Sequence, residues 1–248
     1  INNLLKCNFD TIDFGSFVSP KAIPQMRDTS NVLAGLNDSN SKLLAIVANE
    51  RGAKDACEFD RIKYLGYPFS VSEEFQKRNT NSTIEESFHR VEVIKELADK
   101  NNKEVVLYLS MGFGNPYEED WHPDIVAKWA EKLYDKLDIR IQAVSDTIGA
   151  ADPKMVDSLF STLIPSLPNI EFGAHLHTLK EEAKNLISAA YNAGCYRFDG
   201  AINGLGGCPM AKNDLTGNMP TELMMDWFLE NDIDTNIDSD YFEAAMKS

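Results

Sequence analysis

Positive charge is what this sequence has least of. Its 248 residues carry 24 Lys and Arg against 39 Asp and Glu, a net charge of −15. A nucleic-acid or anionic-membrane partner requires a basic footprint, so neither is expected. Long apolar runs are also missing: no stretch approaches the roughly 18 uninterrupted apolar residues of a membrane span. The opening Ile1-Asn2-Asn3 has no basic segment followed by an apolar one, so no signal peptide is read there. Cysteine is sparse: Cys7, Cys57, Cys195 and Cys208 are widely separated, with no Cys-x-x-Cys. That spacing argues against a disulfide framework and for a reducing, cytoplasmic setting. There is no Pro/Ser-rich linker, charge block or low-complexity tract. What remains is 43% hydrophobic and 25% charged, ordinary for a folded domain and wrong for disorder.

Short apolar, β-branched runs alternate with longer helical patterns. Strands are predicted at 11–17, 43–48, 61–69, 104–110, 139–147, 171–177 and 197–202. Helices are predicted at 83–100, 123–137, 153–164, 179–193 and 221–230. The first of these opens on Ser82/Thr83 with Glu85 and Glu86 in its first turn, a capping pattern. Pro153 suits a first helical turn, and Gly194 a helix end. A repeating strand-then-helix unit implies a parallel sheet, either an open doubly wound sheet or a closed (β/α)₈ TIM barrel. A single repeating unit of this length without a linker favours one TIM-barrel domain over residues 1–248. The strand count is seven rather than eight, and the first residue is not Met. A barrel tolerates no free edges, so the expectation is that the first strand lies upstream of the chain. A complete seven-stranded open sheet is the alternative.

Several motifs carry chemistry. His175-Leu176-His177 ends a predicted strand. Residues i and i+2 of a strand share a face, so two of the chain's four histidines point the same way. That pair suits a divalent metal at the C-terminal strand ends where barrel enzymes work; a hydrogen-bonded core pair is the alternative. Gly204-Leu205-Gly206-Gly207-Cys208-Pro209 follows the last strand. Its glycines permit close approach or movement, and Cys208 could serve as acid, base or nucleophile. It fails the dinucleotide pattern. Thr216-Gly217-Asn218 offers an amide oxygen as a hard ligand, or an ordinary turn residue. Asp13 sits near a strand end, where an acid buried inside a barrel would be costly unless paired or used. Ser145-Asp146-Thr147-Ile148-Gly149 is a second polar strand end. Lys77-Arg78-Asn79, a local basic cluster in an acidic chain, could meet coenzyme A phosphates or be a solvated pair.

Taken together these motifs resemble 3-hydroxy-3-methylglutaryl-CoA lyases. The likeness rests on Gly15-Ser16-Phe17-Val18-Ser19-Pro20-Lys21 with Pro24-Gln25-Met26, on Ser72-Glu73 with Lys77-Arg78-Asn79, and on Ile84-Glu85-Glu86-Ser87. It continues through Asp146-Thr147-Ile148-Gly149, the His-x-His pair and the glycine–cysteine loop, in family order over nearly the whole chain. The resemblance implies a (β/α)₈ barrel that cleaves HMG-CoA to acetoacetate and acetyl-CoA with Mg²⁺ or Mn²⁺. It implies His175, His177 and Asn218 as metal ligands, with Cys208, His175 and Asp13 catalytic; lyases usually carry Glu at the Asp13 position. The implied substrate-binding set is Ser16, Lys77, Asn79, Tyr108, Asp146 and Thr147. An acyl-CoA substrate is the expected partner, and a homodimer the expected assembly.

The chain departs from the pattern in three places. The family's first-strand Arg-Asp pair has no counterpart. Thr178-Leu179-Lys180-Glu181 replaces Asp-Thr-Tyr-Gly after the histidines, and the segment from Cys208 to Asn218 is one residue longer than usual. A related Claisen-type synthase, a lyase for another 3-hydroxyacyl-CoA, or an inert barrel serving as a binding partner are the alternatives.

Overall fold

The computed structural model describes residues 1–207 and 216–248. In chain order the elements are β1 (Thr11–Ser16), α1 (Thr29–Ala34), β2 (Lys42–Ile46), α2 (Glu50–Cys57), β3 (Ile62–Ser70), α3 (Glu73–Thr80), α4 (Ile84–Lys100) and β4 (Glu104–Ser110). There follow α5 (Pro123–Leu137), β5 (Ile141–Asp146), α6 (Pro153–Ser166), β6 (Glu171–Thr178), α7 (Ala183–Asn192), β7 (Arg197–Phe198), β8 (Gly217–Asn218), α8 (Thr221–Glu230) and α9 (Ser239–Met246). Among the described residues, no helix is long and apolar enough to cross a membrane.

Two compact units are apparent. The first comprises Ile1–Pro68, His89–Val106 and Asp234–Ser248. In it β1 pairs parallel with β2 and β2 with the start of β3, Leu44 opposite Tyr64 and Ala45 opposite Leu65. Leu44, Ala45, Val47, Leu65 and Tyr67 are buried, as strands covered on both faces require. Asn49 caps α2 by accepting the Gly52 N–H at 3.0 Å. The helix then lies so near the end of β1 that a Cβ on Gly52 would stand 2.4 Å from the Phe17 carbonyl oxygen. Lys103 is buried, its ammonium donating to the Phe59 and Ile62 carbonyls, both at 2.8 Å.

The second unit comprises Phe69–Phe88 and Leu107–Ile233. Its spine is the β5–β6 ladder, six parallel pairs in unbroken register from Ile141–Glu171 to Asp146–Leu176. Every β5 residue is buried. On the other side β6 pairs with β7 (Gly173–Arg197, Ala174–Phe198) and, at its end, antiparallel with β8. The capping box is present as expected: Thr83 Oγ1 accepts the Glu86 N–H at 3.1 Å, and Glu86 returns a carboxylate to the Thr83 N–H at 2.8 Å. Asp152 caps α6 through the Met155 N–H, with Pro153 in the first turn.

Two expectations change. β7 stops at Phe198 rather than continuing to 202. Beyond it the chain leaves the ladder through a single bridge from Ala201 to Pro220 and a 3₁₀ turn at Ile202–Gly204, where Asn203 is left-handed. The Lys77-Arg78-Asn79 segment lies on α3, a short helix absent from the sequence prediction.

Candidate active site

The histidines sit as the strand period demands. His175 and His177 project from the same side of β6, their ring centroids 5.6 Å apart. Each is tethered through Nδ1. His175 Nδ1 lies 3.1 Å from Asp199 Oδ2, and His177 Nδ1 lies 3.1 Å from the Thr147 carbonyl oxygen. A carboxylate and a carbonyl can only accept, so both Nδ1 atoms carry a proton and Nε2 is the nitrogen left to each ring for a ligand. Burial, reinforced by His175, pushes His177 down to about 4, so its ring is neutral at ordinary pH.

Asn218 closes the group. Its backbone pairs with His177 across the β6–β8 ladder, and its side chain hydrogen-bonds to the His177 ring. The amide nitrogen donates to the Leu205 carbonyl at 2.8 Å, so the amide oxygen points away from that carbonyl. The amide oxygen and the His177 Nε2 lone pair are the acceptor atoms this pair can offer a cation. Among the described residues no three His, Cys, Asp or Glu side chains gather as a metal cluster. The donor set is instead two imidazoles and one amide, whose mixed N/O chemistry suits a hard or borderline divalent ion. The carboxylate and carbonyl behind the rings match the outer partners that orient metal-binding histidines.

Tyr108, half-buried on β4, meets His175 edge-on at 5.2 Å. Thr147 contributes twice: its carbonyl holds His177, and its hydroxyl accepts the Met111 N–H at 3.1 Å. Asp146 is buried behind it. Its carboxylate accepts the N–H groups of Ala150 (2.9 Å) and Ala151 (2.8 Å), pinning the turn that presents Thr147. Burial nevertheless holds its pKa above the ordinary carboxylate value. The structure therefore brings together His175, His177, Asn218, Tyr108 and Thr147, with Asp146 supporting them.

The other expected residues belong to other elements. Asp13 and Ser16 belong to β1 of the first unit. Asp13 is exposed, so the desolvation cost anticipated for it does not arise. Its carboxylate accepts the Gly15 N–H at 3.3 Å beside a register shift in β1. Ser16 is buried, its hydroxyl donating to the Ile46 carbonyl at 3.2 Å. Lys77 and Asn79 are exposed on α3. Lys77 pairs with Glu73 at 3.3 Å and Arg78 with Glu74 at 2.7 Å, so the local positive charge is balanced within one helix. Cys208 lies outside the described residues.

Asp199 was missed in the sequence. The signal was available: β7 pairs Arg197 with Gly173 and Phe198 with Ala174, so the next residue falls level with His175. Aligning the ends of successive parallel strands would have found it.

Comparison with known proteins follows the same lines. The HMGL-like family model matches residues 1–247. Hydroxymethylglutaryl-CoA lyase YngG of Bacillus subtilis is 33% identical over 248 residues, 100% of this chain and 82% of its own length. A Pseudomonas aeruginosa protein named 3-hydroxy-3-isohexenylglutaryl-CoA/hydroxy-methylglutaryl-CoA lyase is 31% identical, covering 96% of this chain and 79% of its own. Among solved structures, the B. subtilis HMG-CoA lyase superposes with a TM-score of 0.92 at 33% identity, over 99% of this chain and 82% of that one. An Acinetobacter baumannii HMG-CoA lyase in complex with coenzyme A and 3-methylmalate gives 0.86 at 32% identity, over 97% and 78%. The fold class is accordingly α/β, that of the (β/α)₈ TIM-barrel lyases.

Proposed function

Because this chain belongs to the HMGL-like family of lyases, we propose that it cleaves (S)-3-hydroxy-3-methylglutaryl-CoA to acetoacetate and acetyl-CoA. The observation that carries the proposal is the pair of Nδ1 tethers on His175 and His177, which leaves both Nε2 atoms, with the Asn218 oxygen, available as a ligand set. In the cleavage, the tertiary hydroxyl loses its proton as the C2–C3 bond breaks. Acetoacetate leaves with a new ketone, and the thioester fragment takes up a proton at C2. A divalent ion, Mg²⁺ or Mn²⁺, held by His175, His177 and Asn218 would supply Lewis acidity to the hydroxyl. The protein's own part is to hold that site rigidly. Asp199 and the Thr147 carbonyl fix the two rings, and the low His177 pKa keeps that ring deprotonated at Nε2.

A catalytic role for His175, edged by Tyr108, rests on the resemblance. Cys208, which follows Gly204, Gly206 and Gly207 in the sequence, is assigned the returning proton, a role open to a thiol. Asp13 as a catalytic group and Ser16 as a substrate contact rest on the resemblance alone. The A. baumannii lyase in complex with coenzyme A supports an acyl-CoA substrate, with Lys77 and Asn79 assigned to its polar portion and Tyr108, Asp146 and Thr147 to the acyl side. Cys7, Cys57 and Cys195 are free thiols, which supports the cytoplasm as the working compartment.

The P. aeruginosa relative favours a second reading, a substrate with a longer branch at C3. The test is product analysis. The full protein with Mg²⁺ or Mn²⁺ is given HMG-CoA, its isohexenyl analogue, or acetyl-CoA with 2-oxo acids. Acetoacetate and acetyl-CoA from the first are expected; condensation products from the last, with no cleavage, would overturn the proposal. Cys208→Ala should lower the rate by orders of magnitude while Mn²⁺ binding survives.

A further inference from the structure

The glycine loop does more than lead toward Cys208. Leu205 is exposed as a side chain, yet its carbonyl oxygen receives the Asn218 amide N–H at 2.8 Å. An Asn amide has one accepting and one donating end of nearly equal shape. Reversed, it would set oxygen against the Leu205 oxygen and put N–H groups where the amide oxygen now is, presenting no lone pair to a cation there. The same loop passes so close that a Cβ on Gly206 would stand 2.7 Å from Asn218 Nδ2, and one on Gly204 2.8 Å from the Asn218 carbonyl oxygen. Gly206 also has φ +87°, a conformation that glycine adopts freely. Side chain and loop are therefore built around each other.

We infer that the Leu205–Gly206 segment is the positioning element for Asn218: the Leu205 carbonyl selects the amide orientation, and Gly206 leaves the space in which that orientation fits. This deepens the metal-site reading above and rests on it. The glycines are needed here for the metal ligand.

The test is an Mn²⁺ binding isotherm on the full protein without substrate, with thermal melting to verify folding. Gly207 supplies the control: it also has positive φ (+151°), but its Cβ would approach the Thr216 carbonyl oxygen at 3.0 Å rather than Asn218. Gly206→Ala should weaken Mn²⁺ by about tenfold, the scale of lost outer-shell support, and Gly207→Ala by less than about twofold. In an Asn218→Ala background Gly206→Ala should add nothing further, because its effect runs through the missing amide. Equal losses for the two glycine variants, or full additivity with Asn218→Ala, would overturn the inference. A second measurement on the unmodified protein covers a Gly206→Ala that does not fold. The Asn218 side-chain amide protons, identified by their disappearance in Asn218→Ala, should exchange at least about tenfold more slowly than exposed amides; absence of protection also overturns it. Failure of the unmodified protein to bind Mn²⁺ would instead remove the metal site, and this inference with it.

Discussion

Asp199 offers the sharpest quantitative test of the site. Replacing it by Asn keeps the shape but removes the charge from the group that accepts the His175 Nδ1 proton at 3.1 Å. A hydrogen bond to a carboxylate is roughly twice as strong as a neutral one, and a neutral one contributes about 1 kcal/mol net. The loss is therefore about 1 kcal/mol, felt as a less basic and less firmly held imidazole. Both partners remain partly exposed, at 30% and 27% of their side-chain area, so the low end of the outer-shell range applies. At about 1.4 kcal/mol per tenfold, Mn²⁺ should bind five- to tenfold more weakly to Asp199→Asn, by about that factor. Asp199→Ala should lose more, because the Nδ1–H is left without its acceptor and the ring is free to turn. Calorimetric Mn²⁺ titration of the unmodified protein and both variants, with melting temperatures as a folding check, provides the measurement. Affinity within about twofold for both variants, at unchanged stability, would refute the tether as a tuning element.

Three further outcomes follow from geometry away from the metal ligands. Gly52→Ala should destabilise by about 1–3 kcal/mol in urea unfolding, since its Cβ would meet a backbone oxygen at 2.4 Å that has no side-chain freedom to yield; a loss under about 0.5 kcal/mol would contradict the close packing of α2 on β1. Lys103 is held below the ordinary lysine value chiefly by burial, so the unfolded chain binds the extra proton in the alkaline window just under 10.5. Stability contributed at this position must then rise with pH through that window, and the stability of the unmodified protein relative to Lys103→Met should grow as pH rises toward 10.5; a fall would reverse the sign. Asp146→Ala should cost about 1–2 kcal/mol by stranding the part-buried Ala150 and Ala151 N–H groups, and it should weaken Mn²⁺ binding as well, because the turn carrying the Thr147 carbonyl loses its anchor. Loss of stability with unchanged Mn²⁺ affinity would separate Asp146 from the site.

Much of the architecture was legible because strand and helix periods were long enough to show. α5 and α8 occupy their predicted spans, and the His-x-His pair shares a face for the reason that i and i+2 always do in a strand. The helices α1, α2, α3 and α9 were not foreseen. Each has six to eight residues, and α2 and α3 are so charged that only Gly52, Ala53 and Ala56, or Phe75 and Gln76, turn inward. Within the site, the residues carried by local pattern were found, whereas the partners defined by strand adjacency were not. Asp199 and the Thr147 carbonyl reach the histidines only because β7 and β5 flank β6. Asp13 was misjudged as buried: Ile12, Phe14 and Ser16 form the buried face of β1, and Asp13 alternates onto the other.

The uninterrupted β5–β6 ladder constrains how this protein can be altered. Inserting one residue ahead of Glu171 while the ladder holds would exchange Leu176 for the two imidazoles, erasing the site without touching any residue that forms it. Inserting two would restore the facing but slide both rings by about 6.6 Å along the strand, past Asp199 and the Thr147 carbonyl. Length variation in this half of the molecule is therefore confined to the connections before and after β6, and grafts or loop exchanges should be designed to leave that spacing intact.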